Sequence, residues 1–384
     1  MGEEVFPLEY RTLFVLTRIP VPYQRPDSTV SAERIGQFED VIDVRSPSEY
    51  ALDHVPGARN FPVLSDEERA RVGTLYKQVS PFEARRVGAA LVARNIARHV
   101  EDSFHSQPRG WKPLVYCWRG GKRSGAMAHV LQEVGWRPAV LEGGYRSYRR
   151  EVLVQLDSLP VALEFRVLCG PTGSGKSRLL AALAAQGAQV LDLEALARHR
   201  GSVLGDLPGD PQPSQKMFDS LVCRDLSKFQ ANRPVFVEAE SQRIGTLRVP
   251  EALLARMHAS ECLAIEAPLE ARVDFLAREY AHFLREPQWL KEQLLRLTAL
   301  HSRQTVAEWM ARIDAGEWAA LVSDLLVRHY DPAYRKSTDS HYPALSRALV
   351  LKTRDLGDRA LAALAQDALQ KLPGACAELP LAQG

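Results

Sequence analysis

The chain has 384 residues, more than one ordinary domain holds, so two domains are expected. Hydrophobic residues make up 46% and charged residues 25%, which excludes a disordered, collagen-like or disulfide-scaffold protein. The balance of 49 Lys+Arg against 47 Asp+Glu gives a formal charge of +2, so a nucleic-acid partner would need a local basic surface.

In chain order, the acidic start Met1-Gly2-Glu3-Glu4 is unlike a secretory signal, and Phe6 breaks the myristoylation pattern. No apolar run is long enough to span a bilayer, and Cys117, Cys169, Cys223, Cys262 and Cys376 form no C-x-x-C pair. A reduced, cytoplasmic protein with no membrane contact, disulfide framework or protein-built zinc site is therefore expected. A strand at Val41 to Val44, a helix near Glu83 to Val100 and a strand at Pro113 to Cys117 give the first unit an α/β pattern. A boundary near Ser158 to Ala162 divides the chain into 1–157 and 158–384. The second unit opens with a strand at Glu164 to Cys169, a Gly-rich turn and a helix at Ser177 to Ala185. Further strands at Gln189 to Leu191, Val235 to Val237 and Cys262 to Ile265, each with helical sequence after it, predict a parallel sheet. Gly201 to Pro213 reads as a long loop and Arg272 to Leu372 as mostly helical. The stretch after Lys371 is expected to fray.

The run Leu114-Val115-Tyr116-Cys117-Trp118-Arg119-Gly120-Gly121-Lys122-Arg123-Ser124 is a strand, a glycine loop and a helix start. Such a loop turns successive N–H groups toward its centre, where an anion or a thiolate is stabilised. Arg119, Lys122 and Arg123 add charge that is expected to lower the Cys117 pKa, making Cys117 the candidate nucleophile with Arg119 and Arg123 beside it.

Val41-Ile42-Asp43-Val44-Arg45-Ser46-Pro47-Ser48-Glu49-Tyr50, then His54-Val55-Pro56-Gly57-Ala58-Arg59-Asn60 and Leu141-Glu142-Gly143-Gly144-Tyr145, resemble a rhodanese domain. That resemblance implies a sulfur-handling role for Cys117, and Asp43, Arg45 and Glu49 are expected to form a structural ion-pair set. One departure is the C-x5-R spacing from Cys117 to Arg123, which resembles the loop of cysteine phosphatases and suggests a pocket wide enough for a tetrahedral oxyanion.

In the second unit, Gly170-Pro171-Thr172-Gly173-Ser174-Gly175-Lys176-Ser177 satisfies G-x-x-x-x-G-K-[ST] between a strand and a helix. Backbone N–H groups at Gly170, Thr172, Gly173, Ser174 and Gly175 suit phosphate oxygens. Lys176 suits the outer phosphate, and Ser177 a magnesium ion. Asp192 and Glu240 are candidate acid/base or magnesium-orienting groups, although Asp192 equally suits a helix cap and Glu238 a solvent-facing position. Arg272 and Arg278 are placed either to reach phosphate or on a solvated helical face.

The two units in this order resemble the tRNA 2-selenouridine synthase family, as do Asp66 to Gln78, Leu193 to Ser202, Gln212 to Gln215, Glu240 to Gly245 and Tyr330 to Tyr334. The resemblance implies a rhodanese-like domain with an N-terminal extension, then a P-loop NTPase-like domain with helical C-terminal additions. It implies conversion of wobble 2-thiouridine in tRNA to 2-selenouridine through an S-geranyl intermediate. Geranyl diphosphate and selenophosphate are the implied co-substrates, with no prosthetic group, and a selenophosphate-producing enzyme is an implied partner. For tRNA contact the candidates are Arg146, Arg149 and Arg150, extended by Arg198, His199 and Arg200. Trp118, Trp136, Tyr145 and Tyr148 are placed to stack a base, with core packing an equal reading for Trp136. Three other readings of the residues stay open: a sulfurtransferase fused to a P-loop small-molecule kinase, a C-x5-R phosphatase with a regulatory nucleotide domain, and a nucleotide-gated interaction protein.

Overall fold

The computed structural model describes residues 29–202, 204–207, 209–279, 287–372 and 374. The readings at Met1 to Phe6, at Cys376 and for most of the stretch after Lys371 lie outside these residues.

The first sheet contains β1 (Thr29–Val30), β2 (Val41–Asp43), β3 (Arg59–Asn60), β4 (Leu114–Tyr116) and β5 (Ala139–Leu141), in the order β1-β5-β4-β2-β3. Every pairing is parallel. The central strand β4 is fully buried, so its residues are apolar without alternation, as a sheet covered on both faces requires. An antiparallel pair of helices, Asp66–Gln78 and Pro81–His99, is inserted between β3 and β4. Each starts at a serine, Ser65 or Ser80, whose hydroxyl accepts the N–H three residues on.

The second sheet contains β6 (Phe165–Cys169), β7 (Gln189–Leu191) and β8 (Val235–Glu238), followed after the small antiparallel pair β9 (Arg243–Ile244) and β10 (Leu247–Arg248) by β11 (Glu261–Glu266) and β12 (Leu349–Lys352). Its order is β12-β11-β6-β8-β7, again all parallel. The strand predictions at Gln189 to Leu191, Val235 to Val237 and Cys262 to Ile265 correspond to β7, β8 and β11. Among its described residues, the region read as mostly helical contains one strand, the four-residue edge strand β12.

Both loops singled out in the sequence leave the carboxyl end of an inner strand, Cys117 after β4 and Gly170 after β6, where open parallel sheets bind their ligands. One helix, Tyr145–Ala162, begins against the Cys117 loop and ends just before β6; its 18 residues run about 27 Å. It packs on helices Gln215–Leu226 and Glu251–His258 of the second unit. Tyr148, Val152 and Leu156 thereby enter one core with Phe218, Val222, Leu253 and Met257. Each such buried side chain contributes about 1.5–3 kcal/mol, so the two units are held firmly together. Among the described residues no helix is long and apolar enough to cross a membrane.

Candidate functional site

Cys117 is 4% exposed, at the floor of the loop between β4 and helix Lys122–Val134. Its sulfur accepts the Ser124 hydroxyl at 3.2 Å and the Gly121 N–H at 3.4 Å. Burial pushes the thiol pKa up. The Ser124 hydroxyl and the N–H groups of Ser124, Arg119 and Gly121 pull it down further, so the thiol ends below its ordinary value. The lowered pKa was expected; its source was not. Arg119 and Lys122 are exposed, and Arg123 is held by Glu49 at 2.9 Å, so hydrogen-bond donors stabilise the thiolate where side-chain charge was expected to.

The Gly143-Gly144 turn closes the other side of this loop. A Cβ on Gly144, at φ +60°, would lie 2.3 Å from the Cys117 carbonyl oxygen, so only glycine fits. Tyr145 then donates its N–H to that oxygen at 2.8 Å, fixing the start of the long helix on the loop. Asp43 and Arg45 form the expected buried ion pair, 2.6 Å apart, with the Arg45 guanidinium 4.1 Å above the Tyr145 ring. Glu49 is not part of that pair. It joins Arg123 to Arg69, so it belongs to the loop's own surroundings.

The second loop is braced on both sides. Arg272, 5% exposed, donates Nε to the Thr172 carbonyl at 2.9 Å and its two terminal nitrogens to Asp331. It supports the loop backbone, and Arg278 is exposed outside the cleft, so the reading of either as a phosphate contact is replaced. Lys176 Nζ donates to the Gly170 carbonyl at 2.9 Å, and Ser177 Oγ donates to Glu194 at 2.9 Å. A cleft of about 400 Å³ opens over Gly173, Lys176 and Ser177, walled by Glu194, Arg200, Glu240, His329, Tyr330 and Tyr342.

Glu194 and Glu240 belong to a group of four neighbouring carboxyl groups, the other two, Asp192 and Glu238, lying outside the cleft lining. Asp192 caps helix Leu193–Ala197 through the Ala195 N–H, so the capping role holds for it. Glu238 is fully buried where solvent exposure was the expectation; one oxygen accepts the Glu194 N–H at 3.0 Å, and Oε2 has no hydrogen-bond donor among the described residues. Burial raises the pKa of Asp192, burial together with neighbouring carboxylates raises those of Glu194 and Glu238, and Glu240 is pushed up to about 8 by burial and then by Glu194. Glu194 is the member that sequence reasoning missed as a functional group. Its proximity to Ser177 is tertiary, and only its position two residues past the Asp192 cap hinted at it.

A second, apolar cavity adjoins the cleft and shares Thr172, Ser202, Leu276 and Tyr330 with it. Its remaining wall is mainly Leu204, Leu290, Leu321, Leu325 and Leu326.

The residues expected to contact tRNA separate. Arg146 and Arg150 are exposed beside the Cys117 loop. Arg149 is bonded to Asp219 and to the Lys216 carbonyl across the domain junction, so it is structural. His199 is 4% exposed and accepts the Gly201 N–H at 3.1 Å, and burial lowers its pKa, which removes it from any basic track. Arg198 pairs with Asp210, and Arg200 faces the phosphate-loop cleft. Trp136, Tyr145 and Tyr148 are buried, Trp136 in the core as its alternative reading had it, so of the proposed stacking rings only Trp118 is partly open.

A family model described as the tRNA 2-selenouridine synthase AAA domain matches residues 163–294, and a rhodanese-like domain model matches residues 29–151. A tRNA 2-selenouridine synthase of Bdellovibrio bacteriovorus is 32% identical over 342 residues, covering 79% of this chain and 89% of the relative. One from Marinobacter nauticus is 37% identical over 262 residues, covering 67% and 69%. One from Nitrosomonas europaea is 38% identical over 247 residues, covering 62% of this chain and 63% of the relative, so the match spans less than two thirds of that protein.

Proposed function

We propose, since the chain belongs to the tRNA 2-selenouridine synthase family, that it replaces sulfur by selenium in wobble 2-thiouridine of tRNA in two steps at two sites. In the first, the thiouridine sulfur attacks C1 of geranyl diphosphate, the C1–O bond breaks and diphosphate leaves. Lys176 and the loop N–H groups neutralise the departing charge in the transition state. Glu240, in the cleft wall with its pKa pushed up to about 8, takes in its ionised form the proton lost from the base. In the second, selenophosphate held at the Cys117 loop delivers selenium to C2, geranylthiolate leaves and is protonated, and water takes the phosphoryl group. Alkylation has by then turned a poor leaving group into a better one.

The single observation that carries this reading is the apolar cavity opening from the phosphate cleft at Thr172, Leu276 and Tyr330. A diphosphate on the loop would send a prenyl chain there, whereas a nucleoside base would meet a mainly leucine-lined wall. A magnesium ion fits the diphosphate end. Among the described residues no three His, Cys, Asp or Glu side chains form a protein-built metal cage, but Ser177 Oγ and the Glu194 carboxyl group meet in the cleft, a pair of oxygen donors that suits a hard cation. Ser177 and Glu194 would hold it together with the diphosphate, where it would supply further neutralisation of the leaving group.

Calorimetry tests the assignment. Geranyl diphosphate with magnesium is expected to bind the wild type and to lose affinity in Leu325→Asp, which places charge in the apolar wall, while inorganic diphosphate binds both equally. Micromolar ATP binding with turnover, and none for geranyl diphosphate, would overturn the reading in favour of a P-loop kinase fused to a sulfurtransferase.

A further inference from the structure

We infer that the helical pair Asp66–Gln78 and Pro81–His99 is a single-stranded RNA shelf that receives the loop nucleotides next to the base being modified. The inference rests on the proposed tRNA reaction and adds to it a surface outside both sites.

The first observation is exposure without a partner. Tyr76 is 59% exposed, Val79 64% and Phe82 67%, three large apolar side chains gathered at the tip of one pair of helices. Neither aromatic ring contacts another ring among the described residues. Large apolar groups clustered in solvent mark an interaction surface.

The second is charge. From Arg69 to His99 the pair carries Arg69, Arg71, Lys77, Arg85, Arg86, Arg94 and Arg98 against Glu83 alone, while the other acids, Asp66, Glu67 and Glu68, are confined to the first turn. A chain of nearly balanced total charge has thus concentrated cations here. Exposed aromatics set among cations suit a single-stranded polynucleotide, whose bases stack on rings while its phosphates meet Lys and Arg.

The third is a glycine with no structural reason. Gly73 sits in mid-helix, where it destabilises relative to alanine, yet a Cβ there would meet nothing within 4 Å among the described residues and its backbone is ordinary helix. By contrast Gly88 of the second helix is packed on Val72. Arg69, Gly73, Tyr76 and Lys77 follow i, i+4, i+7 and i+8 spacing and so share one side of the helix. On that side Gly73 leaves a flat gap between a cation and an aromatic ring, room for a base to lie against the helix.

The fourth is continuity with the Cys117 site. Arg69, at the root of this side, pairs with Glu49 at 3.0 Å, and the same Glu49 oxygen holds Arg123 of the Cys117 loop at 2.9 Å. Tyr76 lies seven residues further, about 10 Å along the helix. A nucleotide entering the Cys117 loop would leave its neighbour over Arg69 and Gly73 and the next one near Tyr76.

The test uses the full chain and a fluorescein-labelled anticodon stem-loop RNA with 2-thiouridine at the wobble position, read by anisotropy. Tyr76→Ala is expected to raise Kd about tenfold, the loss of one stacked base, and Tyr76→Trp to preserve it. Gly73→Ala is expected to raise the Tm and yet weaken RNA binding, opposite signs that a purely structural role cannot give. The rate of Cys117 alkylation by iodoacetamide should be unchanged in all three, which shows the loop intact. Wild-type RNA affinity in Tyr76→Ala would overturn the inference while leaving the proposed reaction standing. Wild-type protein that binds no RNA at all would remove both. Self-association of the wild type that Tyr76→Ala abolishes, with RNA affinity unchanged, would make the surface a protein contact and also overturn it.

Discussion

The Ser124 hydroxyl lies 3.2 Å from the Cys117 sulfur and, as a donor to it, turns a buried thiol into one with a lowered pKa. Ser124 is itself fully buried in the first turn of helix Lys122–Val134, so the contact is rigid. Ser124→Ala removes this donor and leaves the burial, so the thiol pKa rises. Alkylation of Cys117 at pH 7 should slow several-fold, and the midpoint of its rate against pH should move upward. An unchanged profile would mean that the backbone N–H groups alone set the thiolate.

Asp53 is the buried link between the two units. Its carboxylate accepts Tyr145 from the first unit at 2.7 Å and Ser220 from the second at 2.9 Å, while its backbone carbonyl accepts Arg45. Asp53→Ala removes the acceptor of the buried Tyr145 and Ser220 hydroxyls and should cost about 2–3 kcal/mol. Because the core crosses the junction, denaturant should unfold wild type in one transition. Two separated transitions in the wild type would contradict the shared core.

How far the sequence disclosed all this depends on the range of the contacts involved. The Cys117 loop and the phosphate loop are local objects, written in consecutive residues, and both were legible together with the strands that carry them. Ser177 and Glu194 are 17 residues apart, and Arg149 and Asp219 are 70 apart. Neither spacing follows a helix or strand period, so the carboxylate at the magnesium position went unseen and Arg149 looked like a free cation. The strand β12 was hidden for a different reason: Leu349-Val350-Leu351-Lys352 is too short for periodicity to distinguish it from the helices around it. The exposed tip at Tyr76 and Phe82 was likewise invisible, since an apolar residue in an amphipathic helix reads as core until its neighbours are known.

Glu240 gives the cleft a pH signature. Its pKa rises from the ordinary 4.5 to about 8, through burial and then Glu194, so between those values the folded chain holds a proton that the unfolded chain has lost. That contribution to stability is complete below about pH 4.5 and disappears as pH climbs to about 8. Without ligand, and with EDTA present, the Tm should fall between pH 5 and 8, and Glu240→Gln should shrink the fall. Geranyl transfer should run the other way, its kcat/KM rising with pH toward 8 as the base form appears, and Glu240→Gln should lose that rise. Equal pH profiles for variant and wild type would remove Glu240 from the proton transfer.

The division of labour between the two loops is tested most directly by nucleoside mass spectrometry of tRNA treated with purified protein, geranyl diphosphate and selenophosphate. Starting from 2-thiouridine tRNA, Cys117→Ser should accumulate S-geranyl-2-thiouridine and form no 2-selenouridine. Lys176→Ala should form geranylated tRNA about 100-fold more slowly, as loss of one transition-state charge contact predicts, and still convert pre-geranylated tRNA to 2-selenouridine. Full selenation by Cys117→Ser, or geranylation at the wild-type rate by Lys176→Ala, would contradict the assignment of one chemical step to each loop.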